Sequence, residues 1–204
     1  MKKKLLKFLK KEYLLLYAII FVGSYLRLQG VLTNSFAFTY DVGRDMLALS
    51  NIVNLHKFPL IGATTGLPGV FYGPWWYYML TPFFILLSGN PQGIAFVMAI
   101  VGLLIVVLGF LLGKKIGGVF FGLLFAVILS TSHYMVSLSA QIWNPNIIPL
   151  FIMFVLLILQ KIYSLDKPRL REFFFLGLLL ALNIDLEIIF GSGNSLGYNP
   201  CNFS

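Results

Sequence analysis

The chain has few charged residues and very few acids. Asp, Glu, Lys and Arg make up 11% of its 204 residues, and only seven residues are acidic. A soluble domain is about a quarter charged. Because 59% of the residues are hydrophobic, the composition predicts a protein that lies in lipid. The single cysteine, Cys201, excludes an internal disulfide and a cysteine-rich metal site.

Several familiar motifs are missing as well. His56 and His133 are far apart, and the sequence contains neither a His-Glu-x-x-His zinc motif nor a nucleotide-binding glycine motif. A net charge of +8 could indicate nucleic acid, but six lysines crowd between Lys2 and Lys11, directly before an apolar run. This pattern is typical of a cytoplasmic anchor beside anionic lipid headgroups. We therefore expect an uncleaved signal anchor, the lipid bilayer as a partner, and no nucleic-acid partner.

Long apolar segments predict an all-α fold, a polytopic transmembrane helical bundle. Five segments are long enough to cross about 30 Å of hydrocarbon. They are residues 13–32, 93–112, 116–134, 147–163 and 173–190. A sixth apolar stretch, residues 75–88, is shorter and rich in Trp and Tyr, which favour the headgroup level. We expect it to be a juxtamembrane helix of the first external loop.

The positions of the basic residues distinguish between two possible topologies. If residues 75–88 cross the membrane, Lys114, Lys115 and the loop 166–172 all fall outside the cell. If that stretch lies at the outer surface, these groups and the N-terminal lysines all face the cytoplasm, as the positive-inside rule prefers. We therefore expect a multi-pass protein of the cytoplasmic (inner) membrane with a cytoplasmic N-terminus. The loops 34–92 and 135–146 then share the external face.

Two acids in the first external loop are the candidate catalytic residues. Asp41 and Asp45 lie four apart in a predicted amphipathic helix that Asp41 caps and Pro59 ends. A carboxylate at a membrane surface can accept a proton from a nucleophile, or hold a divalent cation against a lipid phosphate. The structural alternative gives Asp41 a capping role and pairs Asp45 with Arg44.

Other polar residues are candidates for substrate binding. Arg27 lies about 21 Å into the first span, where it can snorkel to the headgroups or contact the phosphate of a lipid-linked donor. Arg44 can bind phosphate or be solvated. Asn144 and Asn146 stand on either side of a proline in the second external loop. They can mark a turn and a helix start, or hydrogen-bond sugar hydroxyls. We discount Asp185, because it adjoins an unusual tail.

That tail, residues 191–204, is polar and turn-like and follows directly from the middle of an apolar segment. The break in composition favours a truncation or a frameshift. We therefore expect residues 1–190 to be the N-terminal part of a larger transmembrane domain, and residues 191–204 to be an atypical end.

The order of the motifs resembles a known family. After a first span with an arginine come Tyr40-Asp41-x-x-Arg44-Asp45, then Val-Phe-Tyr-Gly-Pro-Trp-Trp-Tyr-Tyr at residues 70–78, and finally Trp-Asn-Pro-Asn at residues 143–146. Over about residues 13–190, the chain is similar to the N-terminal part of GT-C fold glycosyltransferases. Among these it resembles the bacterial protein O-mannosyltransferase and aminoarabinose transferase-like (family 39-like) membrane proteins.

The resemblance implies a function in the cell envelope. Such enzymes take a sugar from a polyprenyl-phosphate donor and transfer it to a glycan, lipid or protein acceptor outside the cytoplasmic membrane. It also implies that Asp41 is the essential acid, with Asp45 a weaker match. Tyr72 stands where many relatives have a histidine before Gly-Pro, and the resemblance makes it a candidate for substrate binding. No cofactor is certain, and a divalent cation stays an alternative. Because relatives are much longer, the resemblance also implies an incomplete enzyme that could be inactive.

A transporter or a lipid-flipping component is the alternative class. Its external acids would bind a proton or a cation. A transporter is expected to show charged or broken helices near the bilayer midplane. Apart from Arg27, and apart from the acids beside the unusual tail, the predicted spans have no charged residue near the midplane. This favours the enzyme.

Overall fold

A computed structural model describes residues 11–65 and 70–186 of the chain, with side chains from Tyr13 onward. The predicted tail at 191–204 lies outside the described residues. Within them the protein is all-α, as predicted, and an isolated β-bridge between Thr64 and Phe71 is the only extended pairing in that part. The helices are α1 (Lys11–Leu32), α2 (Tyr40–Leu55), α3 (Trp75–Leu86), α4 (Pro91–Thr131), α5 (His133–Ser139), α6 (Ile148–Tyr163) and α7 (Leu170–Leu186), with a 3₁₀ turn at Asn144–Ile147.

Three helical segments are long and apolar enough to cross a membrane: Tyr13–Leu32, Pro91–Thr131 and Asn144–Tyr163. They indicate a membrane-associated protein. The number is below the five spans predicted, for two reasons. The 41-residue helix α4 contains two of the predicted segments, and α7 has 17 residues, which is at the short end of what crosses a bilayer.

Helix α4 folds back on itself at a pair of glycines. Gly117 and Gly118 have non-helical backbone angles. Gly118, with φ 81°, is in the left-handed region that favours glycine. The two arms then pack closely, since a Cβ on Gly113 would lie 2.6 Å from the carbonyl oxygen of Phe121. The predicted spans 93–112 and 116–134 therefore correspond to the two arms of a helical hairpin, and small residues make the close contact.

The basic residues gather at one end of the bundle. At the turn of the α4 hairpin, Lys114 Nζ donates to the Tyr13 hydroxyl at 3.3 Å, beside the start of α1. The link between α6 and α7 carries a second basic group, in which Lys161 and Arg171 donate to Glu172 at 3.1 and 2.9 Å. The hydrogen bonds from Arg171, the largest cause, and from Lys161 hold the pKa of Glu172 down, to about 2.

At the opposite end of the bundle, hydrogen bonds join the ends of helices. Gln92 Nε2 donates to the Val31 carbonyl at 2.8 Å, which joins the start of α4 to the end of α1. Asn144 Nδ2 donates to the Leu186 carbonyl at 2.7 Å, which joins the start of α6 to the end of α7. The loops before α2 and α6 therefore lie at the end far from the lysines.

Helices α2 and α3 are packed onto this end by a shared core. Helix α2 buries one face, and α3 buries aromatic residues against it and against the start of α4. The fully or nearly fully buried members are Val42, Leu49, Trp76, Leu80, Ile94 and Met98. At about 1.5 Å per residue, the 12 residues of α3 span about 18 Å. That length is too short to cross about 30 Å of hydrocarbon.

Candidate functional site

Asp41 lines a small cavity between the two loops that were predicted to share a face. The cavity has a volume of about 200 Å³. Its walls come from the chain before and at the start of α2 and from the segment after α5. The lining residues are Ala37, Thr39, Asp41, Val42, Gln141, Ile142 and Trp143. The fold therefore brings the acidic motif and the Gln-Ile-Trp segment together.

The start and end of α2 differ from the prediction. Thr39, not Asp41, is the N-cap: its Oγ1 accepts a first-turn backbone N–H at 3.4 Å. Asp41 lies in the first turn, where a carboxylate interacts favourably with the helix dipole. The helix ends at Leu55, because His56 takes a left-handed conformation with φ 52°; Pro59 is not what stops it. Asp41 is thus free of the capping role.

Arg44 holds both aspartates of the motif. Its Nη1 lies 2.7 Å from Asp41 Oδ1, and its Nη2 lies 2.8 Å from Asp45 Oδ1. The side chain of Asp41 is 45% exposed, whereas that of Asp45 is 0% exposed. The second oxygen of Asp41, Oδ2, has no hydrogen-bond partner among the described residues. Only one of the two predicted catalytic acids can therefore meet a substrate.

Asp45 is fully buried, and its partners favour a structural role over the catalytic role predicted for it. Its Oδ2 accepts from Trp76 Nε1 at 2.8 Å, and its Oδ1 accepts twice from Arg44. Burial raises the pKa of Asp45, and Arg44 and Trp76 oppose that shift. Burial also lowers the pKa of Arg44, but Asp45 and Asp41 outweigh burial and raise it. The sequence places Asp45 among the polar positions of α2. In the structure its side chain points inward, because it bonds to Trp76 in the buried contact with α3.

The carboxylates do not fit a divalent cation. Asp41 and Asp45 are already bound to a guanidinium, which a metal ion would repel. No group of three or more His, Cys, Asp or Glu side chains that could hold a metal occurs in the part of the chain that the structure describes.

Arg27 is buried, with 1% of its surface exposed, so of the two roles considered for it the structure does not show snorkelling. Nε donates to Ser139 Oγ at 3.2 Å, Nη1 to the carbonyls of Ser130 and Gly23 at 2.9 and 3.3 Å, and Nη2 to the carbonyl of Leu129 at 2.8 Å. Two of these carbonyls belong to the last turn of α4, where helix carbonyls lack intrahelical donors. The guanidinium does not extend towards the headgroup level, because acceptors within the bundle already bind its N–H groups.

The two asparagines of the second loop are buried and bonded within the fold, which favours a structural role over the sugar contacts predicted for them. Asn144 is tied to Leu186, and Asn146 Nδ2 donates to the Gln141 carbonyl at 3.2 Å. Both residues are 3% exposed. Asn146 Oδ1 is buried with no partner among the described residues. Instead Trp143, which is 42% exposed, faces the cavity from this loop.

Tyr72 lies in a short ribbon before α3 and is half-buried. Its backbone pairs with Gly62 and Ala63 at 2.8 and 2.9 Å. Next to it, Asp185 packs against Gly73 so closely that a Cβ there would overlap the carboxylate. Asp185 Oδ2 accepts from the backbone N–H of Trp75 at 3.2 Å, and so caps α3. Tyr72 does not line the Asp41 cavity.

Sequence reasoning missed three residues of this region. Trp143 was part of a recognised motif, but its neighbours were chosen because amides are common sugar ligands. Trp76 was one of several aromatic residues and carried no signal for a carboxylate partner. Asp185 was discounted for its place beside the tail, although an acid in an apolar stretch usually has a task.

The fold and the apolar helices define the class: an all-α, membrane-associated protein with an acidic cavity at one end of the bundle. Comparisons of the chain with protein-family models, with curated proteins and with solved structures found no match.

Proposed function

We propose that the protein is a membrane glycosyltransferase of GT-C type, which transfers a sugar from a polyprenyl-phosphate donor to a hydroxyl acceptor. One observation carries the proposal: a half-exposed carboxylate, Asp41, stands in a cavity with one oxygen fixed by Arg44 and the other open. A general base needs this combination of fixed position and free lone pair.

The cavity also suits a sugar. Trp143, which is exposed, offers apolar surface to the face of a pyranose ring, whereas Gln141 and Asp41 offer polar groups to its hydroxyls. Binding sites of this kind combine apolar walls with a few polar groups that fix orientation. A volume of about 200 Å³ is in the range of a single sugar unit rather than a long glycan.

The chemistry needs no group beyond those of the chain and the two substrates. Asp41 accepts the proton of the acceptor hydroxyl as its oxygen attacks the anomeric carbon. The bond between that carbon and the phosphate oxygen breaks, and the electron pair leaves with polyprenyl phosphate. Arg44 positions Asp41 and keeps it apart from the buried Asp45.

The distribution of charge supports an external location for this reaction. Lys114 and the Lys161–Arg171 group lie at the end of the bundle opposite to Asp41. The positive-inside rule favours a cytoplasmic position for such clusters. We propose the cytoplasmic (inner) membrane, with the Asp41 cavity at its external face.

The proposal is tested with the full chain in liposomes that contain a polyprenyl-phosphate sugar labelled in the sugar. We expect the protein to move label from the lipid fraction to an added acceptor or to water, because the site activates a hydroxyl nucleophile. A nucleotide sugar offered in place of the lipid donor is the control, and is expected to give no product. Folded protein that consumes none of a panel of polyprenyl-phosphate sugars would contradict the proposal.

A further inference from the structure

The last turn of α7 is bonded to two other parts of the chain. The final carbonyls of a helix have no donor within the helix, and two of those in α7 accept from outside it. The Asp185 carbonyl accepts from the Gly73 N–H at 2.9 Å, and Asp185 Oδ2 accepts from the Trp75 N–H at 3.2 Å. The Leu186 carbonyl accepts from Asn144 Nδ2 at 2.7 Å. This one turn therefore holds both the start of α3 and the loop before α6.

The start of α3 is connected in turn to Asp41. Trp76 lies in the first turn of α3, and its Nε1 donates to Asp45 Oδ2 at 2.8 Å. Asp45 Oδ1 accepts from Arg44, and Arg44 Nη1 lies 2.7 Å from Asp41 Oδ1. Each of these hydrogen bonds has a charged partner, which makes it roughly twice as strong as a neutral one. The position of Asp41 therefore depends on where α7 holds the first turn of α3.

The loop before α6 supplies the second wall of the Asp41 cavity. Asn144 and Leu186 are 3% and 1% exposed, so water does not compete for the hydrogen bond between them. The residue before Asn144 is Trp143, which lines the cavity. The two walls, residues 37–42 and 141–143, are far apart in the sequence. They share the last turn of α7 as a support.

The carboxylate of Asp185 fits closely against the chain before α3. A Cβ on Gly73 would overlap this carboxylate, so a glycine is what leaves room for it. The negative charge also lies beside the first N–H of α3, where the helix dipole stabilises an anion. Packing and charge therefore both hold this side chain at the start of α3.

We infer that Asp185 is a positioning residue: it fixes the start of α3 so that Asp41 stays aligned with the loop that carries Trp143. This role rests on the proposed function and deepens it, since the alignment of the two walls matters for a substrate bound between them. Asp185 itself does not line the cavity. A displacement of about 1 Å between reacting groups can cost about 100-fold in rate, so a residue outside the cavity can control transfer.

The first experiment measures the alignment of the walls without any substrate. With Cys201 replaced by serine, cysteines are placed at Ala37 and Gln141, one in each wall, and the full chain in detergent is treated with a short bifunctional thiol reagent. We expect Asp185→Ala to slow the cross-linking at least about threefold, because the effective concentration of one thiol at the other falls. Asp185→Asn keeps an acceptor for α3 and is expected to cross-link like the parent.

Two further variants make this experiment specific. Gly73→Ala leaves Asp185 in the chain but pushes its carboxylate aside, and is expected to slow the cross-linking as Asp185→Ala does. Ile184→Ala changes an exposed neighbour on α7, with 63% of its surface exposed, and is expected to have no effect. Cross-linking at the parent rate in both Asp185→Ala and Gly73→Ala would overturn the inference.

The second experiment separates positioning from a general loss of structure. Asp185→Ala is expected to lower the initial rate of label transfer at saturating donor about tenfold, and Asp185→Asn is expected to restore most of it. In a chain that also carries Asp41→Asn, Asp185→Ala is expected to have no further effect, because its action passes through Asp41. The same proportional loss in both backgrounds would show a merely structural residue and contradict the inference.

The outcomes also distinguish the role of Asp185 from the proposed function. Slower cross-linking in the Asp185→Ala and Gly73→Ala variants, without consumption of any donor by the parent chain, removes the function and leaves the coupling of α7 to the cavity. Sugar transfer by the parent chain, with transfer and cross-linking unchanged in both variants, removes the positioning role and leaves the function.

Discussion

Replacing Asp41 by asparagine is expected to lower sugar transfer by about 100-fold to 10,000-fold, the range that a positioned general base contributes. Asparagine keeps the shape of the side chain and one acceptor for Arg44, but its amide cannot take the proton of the acceptor hydroxyl. The measurement is the initial rate of label transfer from the polyprenyl-phosphate sugar.

The fold of the Asp41→Asn variant is expected to survive. The side chain of Asp41 is 45% exposed, and exposed ion pairs contribute about 1 kcal/mol or less. Asp166→Asn makes the same chemical change in the exposed link between α6 and α7, and is the matched control. Transfer that persists in Asp41→Asn at the rate of the control would remove Asp41 from the mechanism.

Replacing Asp45 by asparagine is expected to act on stability. Asp45 uses both oxygens as acceptors, for Arg44 on one side and for Trp76 on the other. An asparagine has only one acceptor oxygen. Its amide N–H₂ must therefore face the N–H donors of either Arg44 or Trp76, in a position that is fully buried. Breaking a buried pair in this way costs about 3 kcal/mol, which we expect as a lower denaturation midpoint in detergent.

A double variant, Asp45→Asn with Trp76→Phe, separates the hydrogen bond from other effects. Trp76→Phe removes the indole donor, so that the amide introduced at position 45 no longer opposes it. The combined loss in the free energy of unfolding is then expected to be smaller than the sum of the two single losses by about 1 kcal/mol. Strictly additive losses, or an Asp45→Asn variant as stable as the parent, would show that the network does not hold α2 to α3.

The helices of this protein follow from the sequence because apolar length and charge position leave few choices. Residues 13–32 and 147–163 were predicted as spans, and the structure has helices there. The sequence predicts the two arms of α4 as two apolar segments, which are separated by Gly113, Lys114 and Lys115. The 41 residues of α4 form two helices that meet at Gly117 and Gly118, whose backbone angles are not helical.

The candidate site was predicted only in part. The sequence predicts Asp41 as a candidate and predicts that both loops lie on one face. These predictions depend on motifs and charges that are local in the sequence, and not on contacts with distant residues. The sequence could not separate Asp41 from Asp45, because the difference depends on Trp76, which lies 31 residues away in the chain. The burial of Arg27 could not be predicted for the same reason: its acceptors come from the far end of α4, more than 100 positions away.

The most direct test of the central claim is the side of the membrane on which the Asp41 cavity lies. With Cys201 replaced by serine, single cysteines are placed at Ala37, which is exposed and lines the cavity, and at Lys115, which is exposed at the α4 turn. A membrane-impermeant thiol reagent applied to intact cells is predicted to label Ala37→Cys, and to label Lys115→Cys only after the cells are opened. Labelling of Lys115→Cys from outside, with Ala37→Cys protected, would contradict an external glycosyl-transfer site.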